Sequence, residues 1–103
     1  MKLFDWSRVP EEQVNLLATR QIIHTDTMTV IRRRLLKGSL SYPHQHSEEQ
    51  LSMIEQGSMR FVVADEPQIV TSGQAFVIAS NALHSAEALE DSVVLDLFSI
   101  PKT

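Results

Sequence analysis

From Gln21 onward the chain is cut into short apolar runs, and the cuts come too often for a long helix. "QIIHT" and "MTVIRRRLLKG" are rich in β-branched residues, and the second ends at Gly38. "QLSMIEQG" stops at Gly57, "MRFVVAD" is expected to stop at a Glu66-Pro67 turn, and "QIVTSG" stops at Ser72-Gly73. "QAFVIAS", "HSAEAL" and "VVLDLFSI" follow at similar spacing. β-Branched and aromatic residues suit a pleated, half-buried surface, whereas glycine and proline interrupt it. Many short strands at even intervals predict an all-β sandwich or barrel. There is no internal repeat and no low-complexity segment. Ahead of the strands, "PEEQVNLLA" places Pro10 early and acidic residues next to it, as the first turn of a helix favours. Residues 1–20 are therefore read as a short helix or an irregular arm packing on the barrel or a partner, and residues 21–103 as a single barrel domain.

At 103 residues and 11.6 kDa there is room for one core. A domain this small leaves much of its surface exposed and gains stability by pairing with a copy of itself, so a homodimer is expected. The formal charge of -4 argues against nucleic acid, whose binding rests on a basic surface that neutralises phosphates. The basic cluster Arg32, Arg33 and Arg34 is short and lies within an apolar stretch. Without cysteine, the chain can form neither a disulfide frame nor a thiolate metal site nor a cysteine nucleophile. The N-terminus does not read as a signal peptide, and no run of about 20 apolar residues is present to span a bilayer. A cytoplasmic protein with no membrane partner is the expectation.

The stretch "GSLSYPHQHSEEQLSMIEQG" places His44 and His46 one residue apart, with Gln50 four residues later and a glycine at each end. In an extended chain residues two apart face the same way, so both imidazoles project to one side. Gln50 shares their parity, but its side chain meets them only if the chain bends between Ser47 and Glu49. Taken alone, the pair reads equally as a solvated turn. The second half supplies corroboration in "GQAFVIASNALHSAEA", where Gly73 opens an apolar strand and His84 follows a turn.

Two glycine-opened units, one with His-x-His and one with a single histidine, resemble the two sequence motifs of the cupin superfamily. Gly38, His44, His46, position 50 and Gly57 match every spacing of the first motif, with Gln50 where glutamate is usual. Gly73 and His84 match the second, while Ala79, Asn81 and Ala88 replace its proline, second glycine and asparagine. Asn81 also tolerates the left-handed conformation that a tight turn wants. The resemblance spans Met28 to Ser99 and implies a double-stranded β-helix, a jelly-roll barrel. It further implies that His44, His46, Gln50 and His84 hold one divalent transition metal ion per chain, such as nickel, zinc, manganese or iron. The competing readings are satisfied core histidines and a metal that is only structural. A neutral glutamine leaves the charge of a dication less balanced than a glutamate would, which suits Lewis-acid chemistry on an anionic oxygen substrate.

"HQHSEEQ" and "AEALEDSVVLDLFSIP" look like the small cupins that linearise unsaturated uronates in pectin and alginate breakdown. By that resemblance Asp96 is the proton-transfer residue and Phe98 a wall of the pocket. Asp96 and Phe98 share parity on the last strand, so Asp96 either faces the barrel mouth or makes a structural hydrogen bond. Where those enzymes carry an arginine after the last strand, this sequence has Lys102, which lacks arginine's bidentate fork. Strand alternation sends Arg33 to the face opposite Arg32 and Arg34, which makes it a second candidate anion anchor or a salt-bridge partner. His24 has no motif partner and is expected at the surface, while Trp6 and Phe4 are expected to pin the N-terminal arm. The leading reading is a metal-dependent isomerase that opens the ring of a small anionic sugar acid. Its rivals are an iron- or manganese-dependent oxygenase and a non-catalytic ligand sensor, because cupins host many chemistries.

Overall fold

The structure, a computed structural model, describes residues 1–99. After a 3-10 turn at Trp6–Arg8, the chain forms strands β1 (Glu12–Asn15), β2 (Ala18–His24), β3 (Met28–Leu35), β4 (Leu40–His44) and β5 (Gln50–Gln56). They are followed by β6 (Ser58–Val63), β7 (Glu66–Thr71), β8 (Ala75–Ile78), β9 (His84–Ala88) and β10 (Ser92–Ser99). A six-stranded sheet in the order β1-β2-β3-β10-β5-β8 faces a four-stranded sheet in the order β4-β9-β6-β7, and every pairing is antiparallel. This is the jelly-roll that the cupin resemblance implies, and it agrees with the all-β sandwich or barrel expected from the spacing of the runs. No helix among the described residues is long and apolar enough to cross a membrane.

Two expectations change. The segment "PEEQVNLLA" forms β1 and a turn rather than a helix, because Glu12 and Gln13 find backbone partners in Arg20 and Thr19 at the sheet edge. The N-terminal arm lies over the same sheet, where the Gln21 amide donates to the carbonyls of Trp6 and Val9. The turn after β6 falls at Ala64–Asp65, both with positive φ, instead of at Glu66-Pro67. A two-residue hairpin with φ above zero at both positions matches the strand twist. Pro67 then sits in β7, an edge strand, where its missing N–H does no harm.

Alternation decides what each sheet contributes. On β10, Ser92, Val94, Asp96 and Phe98 share the inner face, and on β5 Gln50, Ser52 and Ile54 do. Ile54, Met59, Phe61, Val70, Ala88 and Val94 close the space between the sheets, with Phe76 tilted against Phe61 at a centroid distance of 4.3 Å, and Met59, Phe61 and Val94 reach the floor of the site. Towards Gln50 and His84 polar side chains enter the interior beside Met59, Phe61, Val94 and Phe98.

Candidate metal centre

His44 on β4 and His84 on β9 are direct cross-strand partners, so both imidazoles project to the same side with ring centroids 4.3 Å apart. After His44 the chain leaves the four-stranded sheet and crosses to the other through residues 45–49. That crossing is the bend the sequence required, and it carries His46 to 4.9 Å from the His84 ring. The crossing is braced on two sides. The Asn81 N–H donates to the His46 carbonyl (2.7 Å) and the Ser80 hydroxyl to the Ser47 carbonyl (2.6 Å). At the end of β10, Ser99 donates through its N–H to the Glu49 carbonyl (3.1 Å), and its hydroxyl accepts from the Glu49 N–H (3.2 Å). Asn81, standing where the family has glycine, adopts φ +64°.

The potential ligand atoms of His44, His46 and His84 lie within 4.8 Å of one another. Each Nδ1 meets a main-chain carbonyl: Tyr42 for His44 (2.9 Å), Glu48 for His46 (3.0 Å) and Ala82 for His84 (2.9 Å). A carbonyl only accepts, so each Nδ1 carries the proton and each Nε2 of a neutral ring keeps a lone pair. Metal-binding histidines are held by this kind of outer hydrogen bond. His46 Nε2 lies 3.2 Å from Gln50 Oε1. With the Gln50 amide nitrogen committed elsewhere, this contact sets two lone pairs against each other, and a shared cation or a second proton on His46 reconciles them. The donor set therefore fits a divalent ion held by three imidazoles and an amide oxygen.

His84 is 5% exposed, and burial, which disfavours the charged ring, holds its pKa below the ordinary histidine value. The hydrogen bond to Ala82 opposes that shift, and the neighbouring His44 and His46 reinforce it.

Asp96 is also 5% exposed, and the two placements that strand parity left as alternatives occur together, since it lines the cavity and makes hydrogen bonds in the interior. Its Oδ2 accepts from Arg33 Nε (2.7 Å) and its Oδ1 from the Ser52 hydroxyl (2.6 Å). Arg33 thus faces inward, while Arg32 turns out to Glu55 (3.2 Å) and Arg34 to Glu11 (3.9 Å). Phe98 stands edge-on to His46 with ring centroids 5.6 Å apart. His44, His46, Gln50, His84, Arg33, Asp96 and Phe98 all border one cavity of about 350 Å³. Lys102 lies outside the described residues. His24 is exposed and bonded to Thr29, away from the cluster. Sequence reasoning does not single out Ser52. Its signal is a small polar residue at an inward position of β5, between Gln50 and Ile54.

A jelly-roll with three imidazoles gathered between its sheets is the arrangement of the cupins. The cupin-domain model matches residues 32–101, and the chain belongs to that family. Among curated proteins it is similar to the pectin degradation protein KdgF of Dickeya dadantii, 30% identical over 93 residues that cover 87% of this chain and 84% of that protein. Among solved structures, KdgF from a Halomonas species superposes with a TM-score of 0.91 at 30% identity, covering 99% of this chain and 96% of that one. An RmlC-like cupin from Shewanella frigidimarina gives the same TM-score at 19% identity, covering 99% of this chain and 93% of that one, a likeness of fold alone.

Proposed function

We propose that the protein is a metal-dependent cupin that opens the ring of a small unsaturated sugar acid, with one divalent transition ion per chain held by His44, His46, Gln50 and His84. The observation that carries this reading is the convergence of the imidazole cluster and the Asp96–Arg33 pair on one cavity. The name of the Dickeya relative, a pectin degradation protein, supports a sugar acid as the substrate class.

When bound, the ion supplies a Lewis acid for a substrate oxygen. Arg33 spends Nε on Asp96, and its terminal nitrogens have no hydrogen-bond partner among the described residues. They are placed to take the substrate carboxylate in a bidentate pair. Asp96 accepts the proton of the anomeric hydroxyl as the ring C–O bond breaks, which leaves an aldehyde at one end and an enolate at the other. It then returns that proton to the enolate carbon to give the ketone, so the step is an isomerisation that needs no co-reactant. Phe98 walls the cavity and limits water at the reacting carbon.

The test pairs elemental analysis with the loss of ultraviolet absorbance of a 4,5-unsaturated uronate. The wild type is expected to carry about one metal ion per chain and His46→Ala none, with loss of turnover. Asp96→Asn is expected to lower turnover about 10²-fold or more. Metal without uronate turnover would retire the ring-opening reading and keep the site. Failure to bind nickel, zinc, manganese or iron in excess would remove the site itself.

A further inference from the structure

Position 50 carries an amide where the family usually has a carboxylate, and within the metal-site reading the reason lies in the number of hydrogens available along a buried chain of side chains. Ser52 is 0% exposed and does not border the cavity, so no water supplies its hydroxyl with a missing donor, and its neighbours Gln50 and Asp96 are only 6% and 5% exposed. Gln50 Nε2 lies 2.9 Å from Ser52 Oγ, Ser52 Oγ lies 2.6 Å from Asp96 Oδ1, and Asp96 Oδ2 lies 2.7 Å from Arg33 Nε. A guanidinium only donates and a carboxylate only accepts, so the polarity of the chain is set at Arg33 and Asp96. Ser52 has a single hydroxyl hydrogen, and Asp96 Oδ1 takes it. Towards residue 50 the hydroxyl then offers only lone pairs. An NH₂ group satisfies them, whereas a carboxylate oxygen at the same place would repel them. With Nε2 committed to Ser52, Oε1 must turn to the histidines, which is where it lies, 3.2 Å from His46 Nε2.

We propose that Asp96, acting through the Ser52 hydroxyl, dictates an amide at position 50 and turns its oxygen towards the metal. Ser52 is thus a positioning residue, and Asp96 has a second role in metal binding that is separate from proton transfer. The Asp96→Asn substitution reverses the chain. The new side-chain amide accepts from Arg33 through its oxygen and donates through its nitrogen to Ser52, which frees the Ser52 hydrogen to point at residue 50. Gln50 then turns its oxygen to Ser52 and its NH₂ to the histidines, and the metal loses a ligand. A glutamate at position 50 fits the reversed chain and regains it.

The test is a double-mutant cycle on zinc affinity, measured by competition with a chromophoric chelator for the wild type, Asp96→Asn, Gln50→Glu and the double variant. Cobalt(II) absorption spectra report the ligand set, and circular dichroism checks the fold. Asp96→Asn is expected to weaken zinc binding by about tenfold, as loss of an outer hydrogen-bond partner typically does, and Gln50→Glu also by about tenfold, because the buried carboxylate set against the Ser52 lone pairs costs more than its charge gains beside the ion. The double variant is expected to return to within about threefold of the wild type, so the cycle closes with a coupling of about 100-fold. Asp96→Asn with wild-type zinc affinity, or an effect of Gln50→Glu that is the same in both backgrounds, would overturn the proposal while leaving the metal site standing. A wild type that binds no zinc would overturn both. Should Gln50→Glu fail to fold, Ser52→Ala carries the test. It is expected to weaken zinc binding about tenfold with an altered cobalt spectrum, and unchanged affinity and spectrum would overturn the proposal.

Discussion

The three imidazoles of the cluster differ in burial, from exposed His44 through His46 to enclosed His84, and the difference has an electrostatic cost in the metal-free protein. Because burial lowers the His84 pKa from 6.5, the unfolded chain takes up a proton at this residue before the folded chain does as pH falls. Above pH 6.5 both states are neutral there and the stability is fully present. Below it, stability is lost progressively until pH has passed the lower folded value. In chelator-treated protein the urea midpoint is therefore expected to fall as pH is lowered from about 7.5 to about 5, and His84→Gln to flatten that fall. A midpoint with the same slope in both proteins would remove His84 as its source. The identities of these residues were legible because the motif is local: His44, His46 and Gln50 fall within seven consecutive residues. The Arg33–Asp96–Ser52–Gln50 chain was only partly legible, since its members come from three strands and sequence spacing says nothing about which hydrogen goes where.

Strand alternation separated Arg33 from Arg32 and Arg34 correctly, and it put Asp96 and Phe98 on one face. Helix-start signals misled at β1, where proline and acidic residues suggested a helix or an irregular arm but an open sheet edge beside β2 offered backbone partners instead. Local propensity is a weak prior against tertiary pairing of that kind. The glycines of the motif divide in the same way. Gly38 and Gly73 have positive φ with nothing within 4 Å of an added Cβ, so they answer a backbone requirement alone. Gly57, between β5 and β6, has φ +92°, and an added Cβ would fall 2.5 Å from the Asp91 carbonyl oxygen and clash with Ser92. Strained left-handed backbone costs about 1–3 kcal/mol, and a contact with fixed main chain adds to it. Gly57→Ala is therefore expected to lower stability by more than about 2 kcal/mol, and by more than Gly38→Ala does, when their urea unfolding midpoints are compared. Equal losses would show that the approach to Asp91 and Ser92 relaxes freely.

On the outer face of the larger sheet, Ile23, Val30, Leu97, Leu51 and Val77 stand in register across five strands, one from each. Leu95 and Met53 flank this row, and the Arg32–Glu55 ion pair borders it. A two-fold axis through such a row sets like against like, apolar on apolar and each end of the ion pair near its opposite. A second copy of the chain is the occupant proposed for this face, consistent with the small size of the domain. Light scattering is expected to give twice 11.6 kDa for the wild type and the monomer mass for Leu97→Lys. A monomeric wild type would leave the row without that partner.

The two sheets also divide the labour of the site. His44 and His84 hang from the four-stranded sheet, whereas Arg33, Gln50, Ser52, Asp96 and Phe98 belong to the six-stranded one. The spacing between the His44–His84 pair and Asp96 is thus the spacing between sheets, and what sets it is the wedge of Met59 and Phe61 against Ile54, Phe76 and Val94. Interiors this closely packed transmit a change in side-chain volume rather than absorb it. On the proposed function, the hydrophobic core serves as the gauge block of the reaction, and a substitution there would detune the chemistry before it unfolded the barrel.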